Sequence, residues 1–377
     1  MSILFHGAQK LDGHGQVDDF WMLVSAGAIV ATGSGERHPD ADEVVDVAGR
    51  WLVPGFIDLH GHGGGGHAYD EGAPAILAAL ATHRSHGTTR SVLSLVTNPL
   101  SRLLSSLGDI ADLAENDPLI LGSHLEGPFL AADRRGAQSP DFLLDPSPAE
   151  LEQLIGAARG TLRQITIAPE LPNALDSIPV LVEAGVAVAI GHTDAGFDLT
   201  KRAFDAGARI LTHAFNAMPG IHHRAPGPVV AAFEDARITL ELILDGRHVH
   251  PEVAAMTFAA APGRVALITD AMAAAGASDG DYRLGSLNVS VRNGRAVLSG
   301  TDTIAGSTLT QDVALRCAIT QSRVPPRDAV AALTATPARA LGLEHHYGYL
   351  TAGSVADAVL LDHDWYVTGV WADGERL

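Results

Sequence analysis

Two histidines, His60 and His62, close the apolar run Val53-Pro54-Gly55-Phe56-Ile57-Asp58-Leu59, and four glycines, Gly63 to Gly66, follow them. Alternate side chains of a strand share a face, so both imidazoles would project together from the strand's end and could be aimed at one metal ion. Glycine lets the backbone leave such a strand abruptly. The pair alone is weak evidence, since the chain has 18 histidines and His248-Val249-His250 repeats the spacing. Other apolar runs end in the same chemistry, however: His124-Leu125-Glu126, Gly191-His192-Thr193, Thr212-His213-Ala214 and Thr269-Asp270-Ala271. Imidazole and carboxylate are the usual ligands of Zn²⁺ and similar ions in hydrolytic sites. With Glu126 as a bridge, His60 and His62 would serve one ion, and His192 with His213 a second. Asp270 has no Lys or Arg beside it in sequence. It is suited to take the proton of a metal-activated water and return it to a leaving nitrogen, although a helix or turn cap is the competing reading. His124 shares the strand face of Glu126 and reads as a supporting or core residue. His248 could contact substrate, and His250 beside Pro251 reads as structural.

The elements that must position these groups follow a regular rhythm. Short aliphatic or β-branched runs at 56–60, 89–96, 119–124, 164–168, 186–191, 209–213, 238–245 and 265–269 alternate with Ala- and Leu-rich helical stretches such as 74–86, 148–158, 174–184, 199–206 and 251–261. Eight strands alternating with helices predict an α/β fold of the (β/α)₈ barrel type, whose chemistry sits at the C-terminal strand ends. A doubly wound sheet is the alternative, but no nucleotide-type glycine loop follows the first run. Residues 1–54 carry short strands and turn signals, and the C-terminal tail returns to that texture. The expected division is a small β-sandwich domain from 1–54 and 343–377, with the barrel at 55–342. Asn293-Gly294 between two alternating runs predicts a β-hairpin insertion near 282–298.

Composition excludes several classes. The 377 residues are 46% hydrophobic, enough for a large globular core, and 25 basic against 44 acidic residues give a net charge of −19. That surface repels nucleic acid and anionic membranes. No apolar run reaches the roughly 18 residues needed to cross a bilayer, and the first residues lack a secretion signal. The single Cys317 excludes internal disulfides, fits a reducing compartment, and lies in the helical stretch 307–322, where a buried structural thiol is expected. A soluble cytoplasmic protein is the expectation.

Six ordered motifs carry a resemblance to a known family. Pro54-Gly55-Phe56-Ile57-Asp58-Leu59-His60, His124-Leu125-Glu126-Gly127-Pro128-Phe129, Gly191-His192-Thr193-Asp194-Ala195, Thr212-His213-Ala214-Phe215-Asn216-Ala217-Met218, Asp245-Gly246-Arg247-His248-Val249 and Thr269-Asp270-Ala271-Met272 resemble the N-acetylglucosamine-6-phosphate deacetylases. These belong to the metal-dependent amidohydrolase superfamily. The resemblance implies hydrolysis of N-acetylglucosamine 6-phosphate to glucosamine 6-phosphate and acetate. It makes Glu126, His192 and His213 metal ligands and Asp270 the general base and acid. Asn216, Ala217, Arg224 and His248 match positions that hold the sugar phosphate, and Ala137, Gln138, Thr303, Ile304, Ala305 and Gly306 match other substrate-contacting segments. Members with His-x-His on the first strand can hold two ions, so His60 and His62 imply a second metal site of lower occupancy; one or two ions are expected, zinc first, with Fe²⁺ or another transition metal as alternatives. The family is typically a homodimer in which the partner closes the phosphate end, and Arg224 would act across that interface. The chain departs from the family at Gln138, where a histidine donates to the acetyl carbonyl. Glutamine can still donate but cannot become cationic, which leaves a working variant, a shifted substrate or a deliberate substitution as readings.

Two other readings compete. A different amidohydrolase, acting on a related N-acyl sugar or a cyclic amide, would share the barrel and the first motif. Many of those use a carboxylated lysine on the fourth strand, whereas the fourth run here ends in Pro169-Glu170 without lysine. A metal-free barrel kept as a binding scaffold would require lost ligands, and all five are present.

Overall fold

The computed structural model describes residues 1–377. Eight strands form one parallel sheet in strictly sequential order: Phe56–Gly61, Thr88–Val96, Ile120–Glu126, Leu162–Ile167, Ala187–Ile190, Ile210–Leu211, Thr239–Ile243 and Val265–Ile268. The ring closes just past the formal strand ends. Asp270 N–H donates to His60 O and His62 N–H to Ala271 O, each at 2.7 Å, so the first and eighth strands are neighbours and the sheet is a barrel. Asp58 clasps the same seam, accepting from the Thr269 hydroxyl at 2.6 Å and its N–H at 3.2 Å.

The helices follow from periodicity. In Leu100–Ala114, the residues Leu103, Leu107, Ile110 and Ala111 recur every three to four positions, and all are buried against the barrel. The helix Pro148–Ala158 starts with Pro at its first turn, where the missing N–H costs nothing. One core of 66 buried residues fills the space between strands and helices. Cys317 lies buried in the helix Gln311–Thr320. No helix is long and apolar enough to cross a membrane.

The two terminal segments combine in a second, mixed sheet of eight strands, with Trp51–Pro54 pairing both Ser2–Asp12 and Ala358–Leu361. Phe5 and Trp371 stand three strands apart in that sheet, which in a flat sheet is about 14 Å, yet their rings lie 5.1 Å apart. The sheet therefore curls round a core of its own, 13 buried residues including Phe20, Met22 and Leu360. Arg90, 1% exposed on the second barrel strand, joins the two sheets by a bidentate pair with Asp357 at 2.6 and 2.9 Å.

The insertion after the eighth strand has three strands rather than two: Gly280–Leu284, Leu287–Arg292 and Arg295–Leu298. Asn293 and Gly294 both take positive φ, as a two-residue hairpin turn demands. The additional strand overlaps the start of the expected segment 282–298 and is set off from the next by a second two-residue turn, Gly285-Ser286. The meander packs Leu284, Val289, Val291 and Ala296 on Met272, Ala273 and Ala305.

Candidate metal centre

Local backbone explains how each donor is aimed. His60 lies within the first strand, His62 one residue beyond it, and Glu126 ends the third. His192, His213 and Asp270 each stand two residues past their strands, which end at Ile190, Leu211 and Ile268. All three have left-handed backbones, with φ of 45°, 25° and 46°. Side chains rarely accept that conformation, and it concentrates where function requires it. Here it turns each side chain inward over the barrel mouth. The glycines after His62 serve close approach: a Cβ on Gly63 would lie 2.3 Å from His67 O, and one on Gly65 would lie 2.3 Å from the Thr82 hydroxyl.

Two buried groups of donors result, His60 with His62 and Asp270, and Glu126 with His192 and His213. Glu126 stands between them. Its Oε1 lies 3.0 Å from both His192 Nε2 and His213 Nε2 and 3.3 Å from His60 Nε2, while Oε2 lies 3.3 Å from His62 Nε2. Asp270 Oδ1 is 3.2 Å from His62 Nε2 and 3.7 Å from His60 Nε2.

The outer ring nitrogens determine what the inner ones offer. His62 Nδ1 lies 3.2 Å from Ser94 O and His192 Nδ1 2.8 Å from Arg134 O. A carbonyl can only accept, so both Nδ1 atoms carry protons and both Nε2 atoms present lone pairs. His60 Nδ1 faces the Glu241 carboxylate at 3.2 Å with the same consequence. His213 Nδ1 has no partner. Within each group the Nε2 atoms face each other, at 3.2 Å for His60 and His62 and at 3.0 Å for His192 and His213. Two lone pairs at that distance, as His60 and His62 present, repel unless a cation lies between them, and tetrahedral nitrogen ligands of zinc stand about 3.3 Å apart, close to the spacing of both pairs. The donor set therefore fits a divalent ion at each group.

Electrostatics agrees. Burial alone would keep His60 and His62 neutral, but Glu126 and Asp270 outweigh it, raising His60 well above the ordinary imidazole range and His62 to about 9. Burial likewise opposes ionisation of Glu126 and Asp270, and the surrounding histidines hold both below the usual carboxylate range. The cluster thus stabilises positive charge at its centre, which metal ions would supply in place of protons.

His62, Glu126, His192, His213 and Asp270 form the floor of a cavity of about 370 Å³, with His60 buried beneath them. Of the substrate-contacting candidates, Ala137, Gln138, Asn216 and Ala217 line it, as do His248, Thr303, Ile304 and Gly306. Ala305 is fully buried behind that wall. Arg224 is not brought to the cavity: it lies exposed on the loop after Ala217, with a guanidinium nitrogen 2.7 Å from His223 Nε2. Gln138 is 4% exposed; its Oε1 accepts the Thr97 N–H at 2.7 Å, and its Nε2 donates to Glu126 Oε2 at 2.6 Å. One amide hydrogen remains for another acceptor. His248 Nδ1 lies 2.8 Å from Asp245; burial opposes its protonation, but Asp245 outweighs that and raises its pKa. His124 stands below the rim between Ser94 Oγ and Thr166 Oγ1, each at 2.9 Å, where burial and the neighbouring His60 hold it well below the imidazole range. His250 caps the helix Pro251–Ala260 by accepting from Glu252 N–H.

Sequence reasoning missed Glu241, Arg134 and Leu284. Glu241 is fully buried under the rim, and a charged residue in the apolar run 238–245 was the available signal. Arg134 lines the cavity and orients His192 through its carbonyl, which no residue-type pattern announces. Leu284 reaches the cavity from the meander, whose expected hairpin carries no site residue in the sequence reading.

The sequence model of the amidohydrolase family matches residues 51–377. The chain is 37% identical to the N-acetylgalactosamine-6-phosphate deacetylase of Escherichia coli O157:H7, over 100% of this chain and 99% of that protein. It is 34% identical to the N-acetylglucosamine-6-phosphate deacetylase of Vibrio furnissii, over 90% of this chain and 85% of that one. An aspartate-to-alanine mutant of N-acetyl-D-glucosamine-6-phosphate deacetylase from Mycobacterium smegmatis, in complex with N-acetyl-D-glucosamine-6-phosphate, superposes with a TM-score of 0.95 at 43% identity, covering 100% of this chain and 99% of that one.

Proposed function

We propose, for a chain that belongs to the amidohydrolase family, hydrolysis of N-acetylglucosamine 6-phosphate to glucosamine 6-phosphate and acetate. The observation that carries this reading is Glu126 lying between two facing histidine pairs, with Asp270 beside them, on the floor of a cavity able to hold an amino-sugar phosphate. His60 and His62 would hold one divalent ion, and His192 with His213 a second, with Glu126 shared between them. Bound there, a divalent ion would supply the acidity that activates a water and the charge that polarises the amide carbonyl. Asp270 takes the water's proton as the water oxygen bonds to the acetyl carbon. It then gives that proton to the sugar nitrogen as the carbon–nitrogen bond breaks, so acetate and a free amine leave. Gln138 keeps Glu126 oriented and offers its remaining amide hydrogen to the carbonyl oxygen. Asn216, Ala217 and His248 hold the sugar phosphate, and the residues Thr303 to Gly306 close its other side.

Zinc suits the mixed imidazole and carboxylate donors, and Fe²⁺ or another transition metal is compatible with the same set. A cytoplasmic homodimer completes the reading. The single cysteine is consistent with a reducing compartment, and the exposed Arg224 would reach a phosphate only in another copy of the chain. The E. coli O157:H7 relative brings in the C4 epimer, N-acetylgalactosamine 6-phosphate, as a second substrate reading.

An acetate-release assay on N-acetylglucosamine, its 6-phosphate and the galacto 6-phosphate, before and after chelation, tests all of this. The gluco 6-phosphate is expected to react fastest and chelation to abolish turnover until metal is restored. Equal rates on the sugar with and without phosphate would remove the role of His248, and activity surviving chelation would overturn the metal reading.

A further inference from the structure

Beneath the metal rim the barrel interior is polar where an aliphatic filling is usual. Ser94, His124, Thr166 and Thr212 form a hydrogen-bonded chain with every step 2.9 Å long. Beside it lies Glu241, a carboxylate with no exposed surface and no Lys or Arg within ion-pair distance. Burying a carboxylate is costly unless its contacts compensate. Its Oε1 accepts the Gln164 amide at 2.7 Å. Its Oε2 lies 3.2 Å from His60 Nδ1 and 3.4 Å from the backbone N–H of His213. The backbone carbonyl of Glu241 also accepts the Ala214 N–H at 2.8 Å. One residue of the seventh strand, itself outside both donor groups, therefore contacts a member of each.

We infer that Glu241 is a positioning residue that couples the two metal sites, holding the His60 ring with its Nε2 lone pair inward and fixing the turn that presents His213. The inference rests on the two-ion reading above. A carboxylate on the outer nitrogen strengthens an imidazole as a ligand, and losing such a partner costs about 10–100-fold in metal affinity. His60 gains this directly. His213 has no partner on its own Nδ1, and its strained backbone at φ 25° depends on the N–H contact instead. Glu241→Gln keeps the side-chain size while removing the charge, so the first site should weaken more than the second.

The test is competition between a chromophoric chelator and the metal-free full chain for Zn²⁺, with Co²⁺ visible spectra to separate the two sites. Wild type is expected to bind two ions. E241Q should bind the ion at the His60 and His62 site about 10–100-fold more weakly while its metal-free form melts with the wild-type protein, and Glu241→Asp should restore part of the affinity. Wild type binding one ion sinks the two-ion reading and the coupling with it. Two ions held equally tightly by wild type and E241Q sink the role of Glu241 alone. Should E241Q fail to fold, Gln164→Leu frees Oε1 without touching either donor group. It should weaken the first site severalfold, and unchanged affinity would overturn the inference.

Discussion

The two donor groups are built by different means. His60 and His62 come from one strand, with ring nitrogens held by Glu241 and Ser94, and meet Asp270 across the seam where the barrel closes. Glu126, His192 and His213 come from three strands, and the two histidines reach inward only because their backbones turn left-handed. Strand alternation supplies the first group, so it costs little backbone strain outside Asp270. Convergence supplies the second, at a conformational cost of order 1–3 kcal/mol per strained residue, which the surrounding hydrogen bonds must offset. The first group is thus easily gained or lost by local substitution, while the second is embedded in the course of the chain.

The largest effect is expected from Asp270→Asn, the residue shared between seam and chemistry. On the role proposed for Asp270, this substitution removes the general acid and base and should lower turnover by about 10²–10⁴-fold, while the ion at Glu126, His192 and His213 should remain, as metal analysis and kcat together would show. Loss of both ions would mean that the groups are not separable. His60→Ala comes next: metal content should fall from two ions per chain to one, and an unchanged stoichiometry would remove the first site. Gln138→His then probes the carboxylate between the groups. It is expected to raise kcat on the 6-phosphate about tenfold, because a histidine can donate as a cation where the amide cannot; an unchanged kcat would mean that Gln138 serves Glu126 and not the carbonyl oxygen.

The same contrast sets what could be read from the sequence. The eight strands were legible because each buries a short aliphatic run, and His60, His62 and Glu126 followed from strand parity. His192, His213 and Asp270 were found as residues ending runs, but their left-handed turns were not, since nothing in Gly191-His192-Thr193 specifies φ. Glu241 escapes a reading that weighs only the residues ending each run, because it lies within the seventh strand, two residues before its end. The strand Gly280–Leu284 merges, in the sequence, with the first arm of the hairpin expected at 282–298, because the Gly285-Ser286 turn that separates them goes unused. Arg224 enters the expected site only through the family resemblance, which places it across a dimer interface, and within one chain it lies on an exposed loop.

The smallest effect concerns the support of the first group's seam. Gln311 lies across that seam, its amide 3.3 Å from both Ile57 O and Leu267 O. The next residue, Asp312, anchors the start of that helix to His86 at 3.1 Å and to Arg316 at 3.0 Å. Burial would raise the Asp312 pKa, but His86, Thr310 and Arg316 outweigh it and lower it to about 2. A depressed carboxylate stabilises the fold above its unfolded pKa, and that contribution fades as pH falls through the folded value. It is worth roughly 2 kcal/mol at pH 6 and about 1 kcal/mol at pH 3. Asp312→Asn should therefore melt below wild type at pH 6, with the gap narrowing by roughly half at pH 3. A gap independent of pH would show that Asp312 acts through packing alone. A matched loss of ion from the His60 and His62 site, without loss from the other, would show that the seam itself tunes the first group.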